Sequence, residues 1–145
     1  MFDGEYYHTI DAKGRLILPA RFREELGDSF VITRGLDGCL FVYTKSEWND
    51  LQEKLKKLPL INKEARKLTR FFSAGFSQCE PDKQGRILVP AGLRSHADLK
   101  KDVCMVGTGT RIEIWDKERW ETSMSEINDN MDDLLDGMQD MGFLI

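Results

Sequence analysis

The sequence is poor in the residues that reactive sites most often use. Its 145 residues include only two histidines, His8 and His96, and three cysteines, Cys39, Cys79 and Cys104. No C-x-x-C pair occurs, and no Cys-His or His-Glu spacing suits a metal. There is no G-x-x-x-x-G-K-[ST] phosphate loop. The acids form no evident general acid–base pair, and His8 reads as a strand residue. These absences argue against an enzyme, and no metal, cofactor or small-molecule substrate is expected. No apolar run approaches the roughly 20 residues that cross a bilayer, so no membrane partner is expected. The start, Met1-Phe2-Asp3-Gly4-Glu5-Tyr6-Tyr7, lacks the basic and apolar regions of a secretory signal. The expectation is a cytoplasmic protein. Each cysteine lies in or beside an apolar segment and reads as a small core filler in a reducing compartment.

Charge is abundant but unevenly placed. The net charge is −4, which by itself argues against nucleic acid. All 21 Lys and Arg lie within residues 1–120 beside 18 of the 25 acids, so that part carries +3. From Glu121 onward there are seven acids and no base. The segment Lys54 to Arg70 holds seven bases (Lys54, Lys56, Lys57, Lys63, Arg66, Lys67 and Arg70) against one acid, Glu64. It reads as a solvated helix face, or one paired with the acidic tail, though a DNA contact there competes with that reading. An acidic tail on a mildly basic body is a charge asymmetry that suggests a polyanionic partner.

The chain also repeats itself. At a shift of 71 residues, Asp11, Gly14, Arg15, Pro19, Ala20 and Arg23 fall on Asp82, Gly85, Arg86, Pro90, Ala91 and Arg94. After one inserted residue the shift becomes 72, and Val31, Gly35, Val42 and Trp48 fall on Val103, Gly107, Ile114 and Trp120. Each copy reads as an extended segment (Glu5–Ile10 or Ala74–Glu80), a turn, and a short strand (Arg15–Leu18 or Arg86–Val89). Proline then opens a short helix, where its missing N–H costs nothing. Two further strands follow, Phe30–Thr33 and Cys39–Tyr43 in the first copy, Val103–Val106 and Ile112–Trp115 in the second. Such short β-rich pieces suggest a small barrel. Modules of this size bury little surface alone, so the copies should share a core or lean on neighbouring subunits.

Helices are expected between and after the copies. Thr44-Lys-Ser-Glu47 is a capping box, followed by Trp48, Leu51, Leu55 and Leu58 at helical spacing. Pro59 should end that helix, and another should run from Asn62 to about Phe72. After Trp120, the stripe Met124, Ile127, Met131, Leu134, Leu135 and Met138 reads as one amphipathic helix with a core or packing face. The organisation is therefore a first module at 5–47, a helical linker at 48–75, a second module at 76–119 and an acidic tail at 120–145.

The turns Asp11-Ala-Lys-Gly-Arg15 and Asp82-Lys-Gln-Gly-Arg86 carry the candidate chemistry. Gly14 and Gly85 permit a tight reversal, and Asp11 and Asp82 can accept amides of the turns they open. Taken singly, each motif reads as a self-braced hairpin in which arginine serves only the fold. Duplication sets two such turns in one molecule, with Lys13, Lys83 and Gln84 on them and Arg21, Arg23 and Arg94 nearby. Arginine is suited to bidentate bonds with phosphate or guanine.

The paired D-x-x-G-R turns, the strand-Pro-Ala sequence after each and the start Met-Phe-x-Gly-Glu-Tyr resemble the MraZ family of bacterial regulators. The resemblance runs from Met1 to about Trp120. It implies an α+β, mainly β fold in which two tandem AbrB/SpoVT-like modules form a pseudo-dimeric swapped-hairpin barrel. It further implies binding of double-stranded DNA at G-rich promoter repeats of the division and cell-wall gene cluster. A ring-shaped homo-oligomer associated with the nucleoid is also implied. The family's D-x-x-x-R positions fall on Asp11 and Arg15, and on Asp82 and Arg86. On this basis Arg15, Arg86, Lys13 and Lys83 are expected to meet DNA, with Arg21, Arg23 and Arg94 as secondary candidates. Asp11, Gly14, Asp82 and Gly85 are expected to support the loops. A protein–protein assembly module, or an antitoxin-like protein with a toxin partner, is the rival reading.

Overall fold

A computed structural model describes residues 1–145. In chain order its elements are β1 (Glu5–Thr9), β2 (Arg15–Ile17), α1 (Ala20–Leu26), β3 (Phe30–Arg34), β4 (Leu40–Thr44), α2 (Lys45–Lys56) and α3 (Lys63–Ala74). There follow β5 (Ser77–Cys79), β6 (Arg86–Leu88), α4 (Ala91–His96), β7 (Asp102–Gly107), β8 (Ile112–Asp116), α5 (Lys117–Asp129) and α6 (Met131–Asp140). No helix is long and apolar enough to cross a membrane.

Six strands form one antiparallel sheet in the order β1-β7-β8-β4-β3-β5. Replacing each strand by its repeat partner gives the same order reversed. The two copies are therefore related by a pseudo-twofold axis between β4 and β8. At both edges a strand of one copy pairs with a strand of the other, β1 with β7 and β5 with β3. The remaining strands, β2 and β6, form a separate antiparallel ribbon that also joins the two copies. Neither copy completes its own pairing, which is how two marginal modules come to share one core. Strands of the two copies thus pair across the repeat. The hydrogen-bonded ladder is not a closed barrel: β1 and β5 remain edges, and the ribbon is a separate ladder joined to the end of β1 through the isolated bridge between Ile10 and Leu16.

Period-two alternation divides the sheet between two apolar clusters. On one face Phe30, Ile32, Leu40, Val42, Ile112 and Ile114 meet the ribbon residues Leu16 and Ile87 and the short helices through Phe22 and Leu93. On the other, Val31, Phe41, Tyr43, Cys104 and Trp115 meet the long helices through Trp48, Phe72 and Trp120. The result is three layers, with the sheet covered on both faces. Burial pushes the Cys79 thiol up to about 11 and the Cys104 thiol to about 12, and raises that of Cys39 further still. All three thiols are buried and protonated, as fits core packing.

Local signals account for the helix boundaries. The Thr44 hydroxyl accepts the Glu47 amide at 3.1 Å and Asn62 accepts the Ala65 amide at 3.0 Å, so α2 and α3 begin where their caps stand. Pro19 and Pro90 sit one position earlier than expected. They are the N-caps of α1 and α4, with ψ of 138° and 149°, and their carbonyls accept the first helical amides. Strand β5 begins at Ser77 rather than Ala74, because Ala74 completes α3.

The C-terminal region departs most from expectation. The stripe after Trp120 is two helices, broken at Asn130, whose side chain turns back to donate to the Glu126 carbonyl at 2.9 Å. Met124 packs against the second cluster, but no residue of α6 is buried. The core reading of that stripe thus fails beyond Asn130. Periodicity reports an apolar face without saying whether the same chain covers it. Nor does the acidic tail pair with the basic segment 54–70, whose ion pairs are local: Lys56 with Glu53 and Lys67 with Glu64.

Leu16→Ala removes a side chain at the ribbon centre that is 1 % exposed. It is expected to lower the unfolding free energy by about 3 kcal/mol in urea denaturation. Ile17→Ala, one residue on but outward-facing, is expected to change it by less than about 1 kcal/mol.

Candidate nucleic-acid interface

The ribbon presents the two turns together. In β2 and β6, Leu16 lies opposite Ile87, and both point into the core. Alternation sends their neighbours outward. Arg15 therefore lies opposite Leu88 and Arg86 opposite Ile17, forming an outer face of four side chains. Strand spacing places the Cα atoms of Arg15 and Arg86 about 8 Å apart on a diagonal. Ile17 and Leu88 are 45 % and 60 % exposed, an apolar pair between two cations.

Each turn is braced in the same way. One oxygen of Asp11 accepts the amides of Lys13 and Arg15 at 3.0 and 2.9 Å, and the other accepts Arg15 Nε at 2.6 Å. Asp82 accepts the amides of Gln84 and Arg86 at 2.9 Å each, and Arg86 Nε at 2.8 Å. Gly14 and Gly85 have φ of 86° and 79°, a region that costs other L-residues energy. These bonds hold only Nε of each guanidinium, and no Nη group of Arg15 or Arg86 has a partner within the chain. The same arginine can therefore brace its loop and offer two donor groups outward. Lys13 and Lys83 are exposed on the turns, at non-equivalent positions, third in the first turn and second in the other.

The three secondary arginines differ. Arg21 is exposed, ion-paired with Asp3 and bonded to the Tyr6 hydroxyl. Arg23 and Arg94 are half-buried, each against the turn of the other copy. The Arg94 guanidinium donates to the Ala12 carbonyl at 3.4 Å, and a Cβ on Gly14 would meet it. A Cβ on Gly85 would likewise overlap Arg23. Each glycine thus serves close approach as well as turn conformation. The sequence did not disclose this exchange of arginines, because spacing along one copy says nothing about contact with the other. It did carry a signal for Ile17 and Leu88: the middle of three apolar residues faces away when its neighbours are buried.

A cleft of about 570 Å³ beside the second turn is lined by Arg23, Glu24, Asp28, Glu80 and Asp82. Four acids against one base make it unsuited to phosphate. His8 lies on β1, and His96 ends α4 with Nε2 3.3 Å from the Gly35 carbonyl. No three His, Cys, Asp or Glu side chains come together as a metal site would require.

The chain matches, in two consecutive copies at residues 1–71 and 72–140, the family described as "MraZ protein, putative antitoxin-like". Two such β-rich halves, sharing strands across a pseudo-twofold axis, define the class. The chain belongs to the MraZ family. The match continues past Trp120 through α5 and α6, further than the motifs alone carried it. A protein of Ligilactobacillus salivarius (strain UCC118) is 59 % identical over 140 residues, covering 97 % of this chain and 98 % of its own. One of Thermoanaerobacter sp. (strain X514) is 58 % identical over 141 residues, covering 92 % and 99 %. One of Heliobacterium modesticaldum (strain ATCC 51547 / Ice1) is 63 % identical over 120 residues, covering 83 % and 84 %. All three carry the name "Transcriptional regulator MraZ".

Backbone hydrogen bonds from Arg15 and Arg86, more than any other cause, hold the Asp11 and Asp82 carboxyls below their ordinary value of 3.8. A lowered folded-state pKa contributes stability above the unfolded value, lost as pH falls through the folded one. Turn bracing should therefore be complete at pH 5 and above and fail only below 3.8. Carboxyl-carbon NMR titration should give both aspartates midpoints under that value.

Proposed function

We propose that this chain is a DNA-binding transcriptional regulator that reads double-stranded DNA with the outer face of its β2–β6 ribbon. The observation carrying this reading is the paired Arg15 and Arg86, each fixed at Nε and free at Nη, on a two-stranded ribbon. A two-stranded ribbon fits the major groove, where arginine reads guanine O6 and N7 bidentately. Ile17 and Leu88 supply apolar contact between the two cations, and Lys13 and Lys83 reach phosphate. Asp11 and Asp82 pre-orient the arginines, so less side-chain freedom is lost on binding. The naming of the relatives as transcriptional regulators supports the same reading.

The finer specificity follows the family: repeated G-rich promoter boxes of the division and cell-wall gene cluster, the chain's own promoter included. One chain offers few cations, and its net charge is −4. A homo-oligomer, in the form of a ring, repeats the patch. Weak contacts to repeated boxes then gain through effective concentration. The exchange of edge strands between copies supports the pseudo-dimeric swapped-hairpin barrel as the framework. The cytoplasm, in association with the nucleoid, is the corresponding location.

Fluorescence-anisotropy titration of the chain's own promoter DNA tests this. Arg15→Ala and Arg86→Ala are each expected to weaken binding by about ten-fold or more. Lys13→Ala should weaken it less and flatten the salt dependence by about one ion. Arg15→Lys keeps the charge but loses the fork, so it should recover the slope without the specificity. Unchanged affinity and slope in both alanine variants would overturn the assignment.

A further inference from the structure

Two exposed surfaces of this chain lack cover, and each has what the other needs. The first is α6 with the residues after it. Met131, Leu134 and Met138 form an outward apolar stripe on a helix that buries nothing, followed by exposed Phe143 and Leu144. On the helical wheel Asp132 stands at one margin of that stripe, with Asp133, Asp136 and Asp140 towards the opposite face, and no base occurs beyond Arg119. The second is a groove of about 530 Å³ between α2 and α3. Leu55, Leu58, Pro59 and Leu60 give it an apolar floor, and Arg66 and Arg70 stand on its rim. The rest of the segment adds Lys54, Lys57, Lys63 and Lys67. Arg66 donates to the carbonyls of Leu60 and Ile61 at 2.9 Å each, fixing the connection that shapes the groove.

We infer that the C-terminal helix α6 of one copy docks in the α2–α3 groove of a second copy. The mode is an amphipathic helix laid apolar face down in a groove, with acids meeting a basic rim. The tail does not occupy its own groove. Helix α5, which leads to it, packs on β7 and β8, whereas α2 and α3 pack on β4 and β3 in the other half of the sheet. Acids at this density are repelled by DNA and by anionic membranes, so a basic protein surface is the fitting occupant. Tail to groove is a heterologous contact, with different surfaces on the two sides. Its repetition closes a ring or runs on as a filament. The inference rests on the homo-oligomer part of the proposed function and is independent of the DNA contacts.

The test uses the full chain and a cross-link that must join two chains. Tagged Leu60→Cys and untagged Met138→Cys chains are co-expressed and oxidised; the native thiols are buried and do not compete. A disulfide-linked pair of one tagged and one untagged chain is expected on non-reducing gels, and a ladder from the double variant. In parallel, Leu134→Glu with Met138→Glu should lower the native mass in light scattering. Unfolding should be unchanged, because these side chains are unburied in the chain. Arg70→Asp should weaken assembly, and Asp132→Arg added to it should restore at least half the loss. Absence of the mixed pair, an intrachain disulfide in the double variant, or unchanged native mass would each overturn the inference. Arg15→Ala, read by the same mass measurement, should assemble normally. A failed DNA reading would thus leave this result untouched, and a failed docking reading would leave the ribbon's own titration to stand.

Discussion

The β2–β6 ribbon depends on two backbone hydrogen bonds that cross between the copies. The Leu18 amide donates to the Gly85 carbonyl at 3.1 Å, and the Val89 amide donates to the Gly14 carbonyl at 2.8 Å. The acceptor in each case is the turn glycine of the opposite copy. Each turn is therefore closed by its own aspartate and held in place by the other copy's strand. Remove the exchange, and the glycine carbonyls, the buried pair Leu16 and Ile87, and the alignment of the two arginines lose their common support. This also explains why the copies occur in tandem. Half of the ribbon is a three-residue strand, too short to be stable without its partner.

The repeat was the most readable feature of the sequence, because paired residues at a fixed shift need no structural interpretation. It located all the main strands to within a few residues and paired the turns correctly. The Asp–Arg bracing was also legible, since four residues across a tight turn leave little freedom. What it did not give was contact between copies. Arg23 and Arg94 looked like further cations beside their own turns, but the exchange lays each against the opposite one. Ile17 and Leu88 were legible as outward-facing, since each is the middle of an apolar triplet whose neighbours are buried. The break at Asn130 was hidden by a stripe that stays in helical phase across it. The two arginines were missed for a physical reason: contact between copies is set by tertiary pairing rather than by local spacing.

The acidic balance of the chain bears on the same division. A net charge of −4 would oppose a polyanion if it were spread evenly. It is not: the outward ribbon carries Arg15 and Arg86 with their Nη groups unpaired, while seven acids lie from Glu121 onward. Screening at physiological salt acts over roughly 8 Å. A concentrated local field therefore counts for more than the total. The cleft lined by Glu24, Asp28, Glu80 and Asp82 lies beside the second turn and restricts where a phosphate backbone can come close. On the proposed reading, attraction at the ribbon and repulsion beside it together fix an orientation, which attraction alone would leave loose.

The two turns are equivalent in backbone and unequal in chemistry. Asp, Gly and Arg recur at the same positions, and their hydrogen bonds agree within 0.2 Å: 2.9 against 2.9 Å to the arginine amides and 2.6 against 2.8 Å to Nε. The intervening pairs differ, Ala12-Lys13 in one and Lys83-Gln84 in the other. A homodimer of single modules would be forced to present identical turns. Joining the copies in one chain removes that constraint while keeping the shared ribbon that each turn needs. The positions that hold the loop are held equal by the geometry of the turn, and those that face solvent are free to diverge. On the proposed reading the pair can therefore recognise an asymmetric DNA box with a nearly symmetric framework.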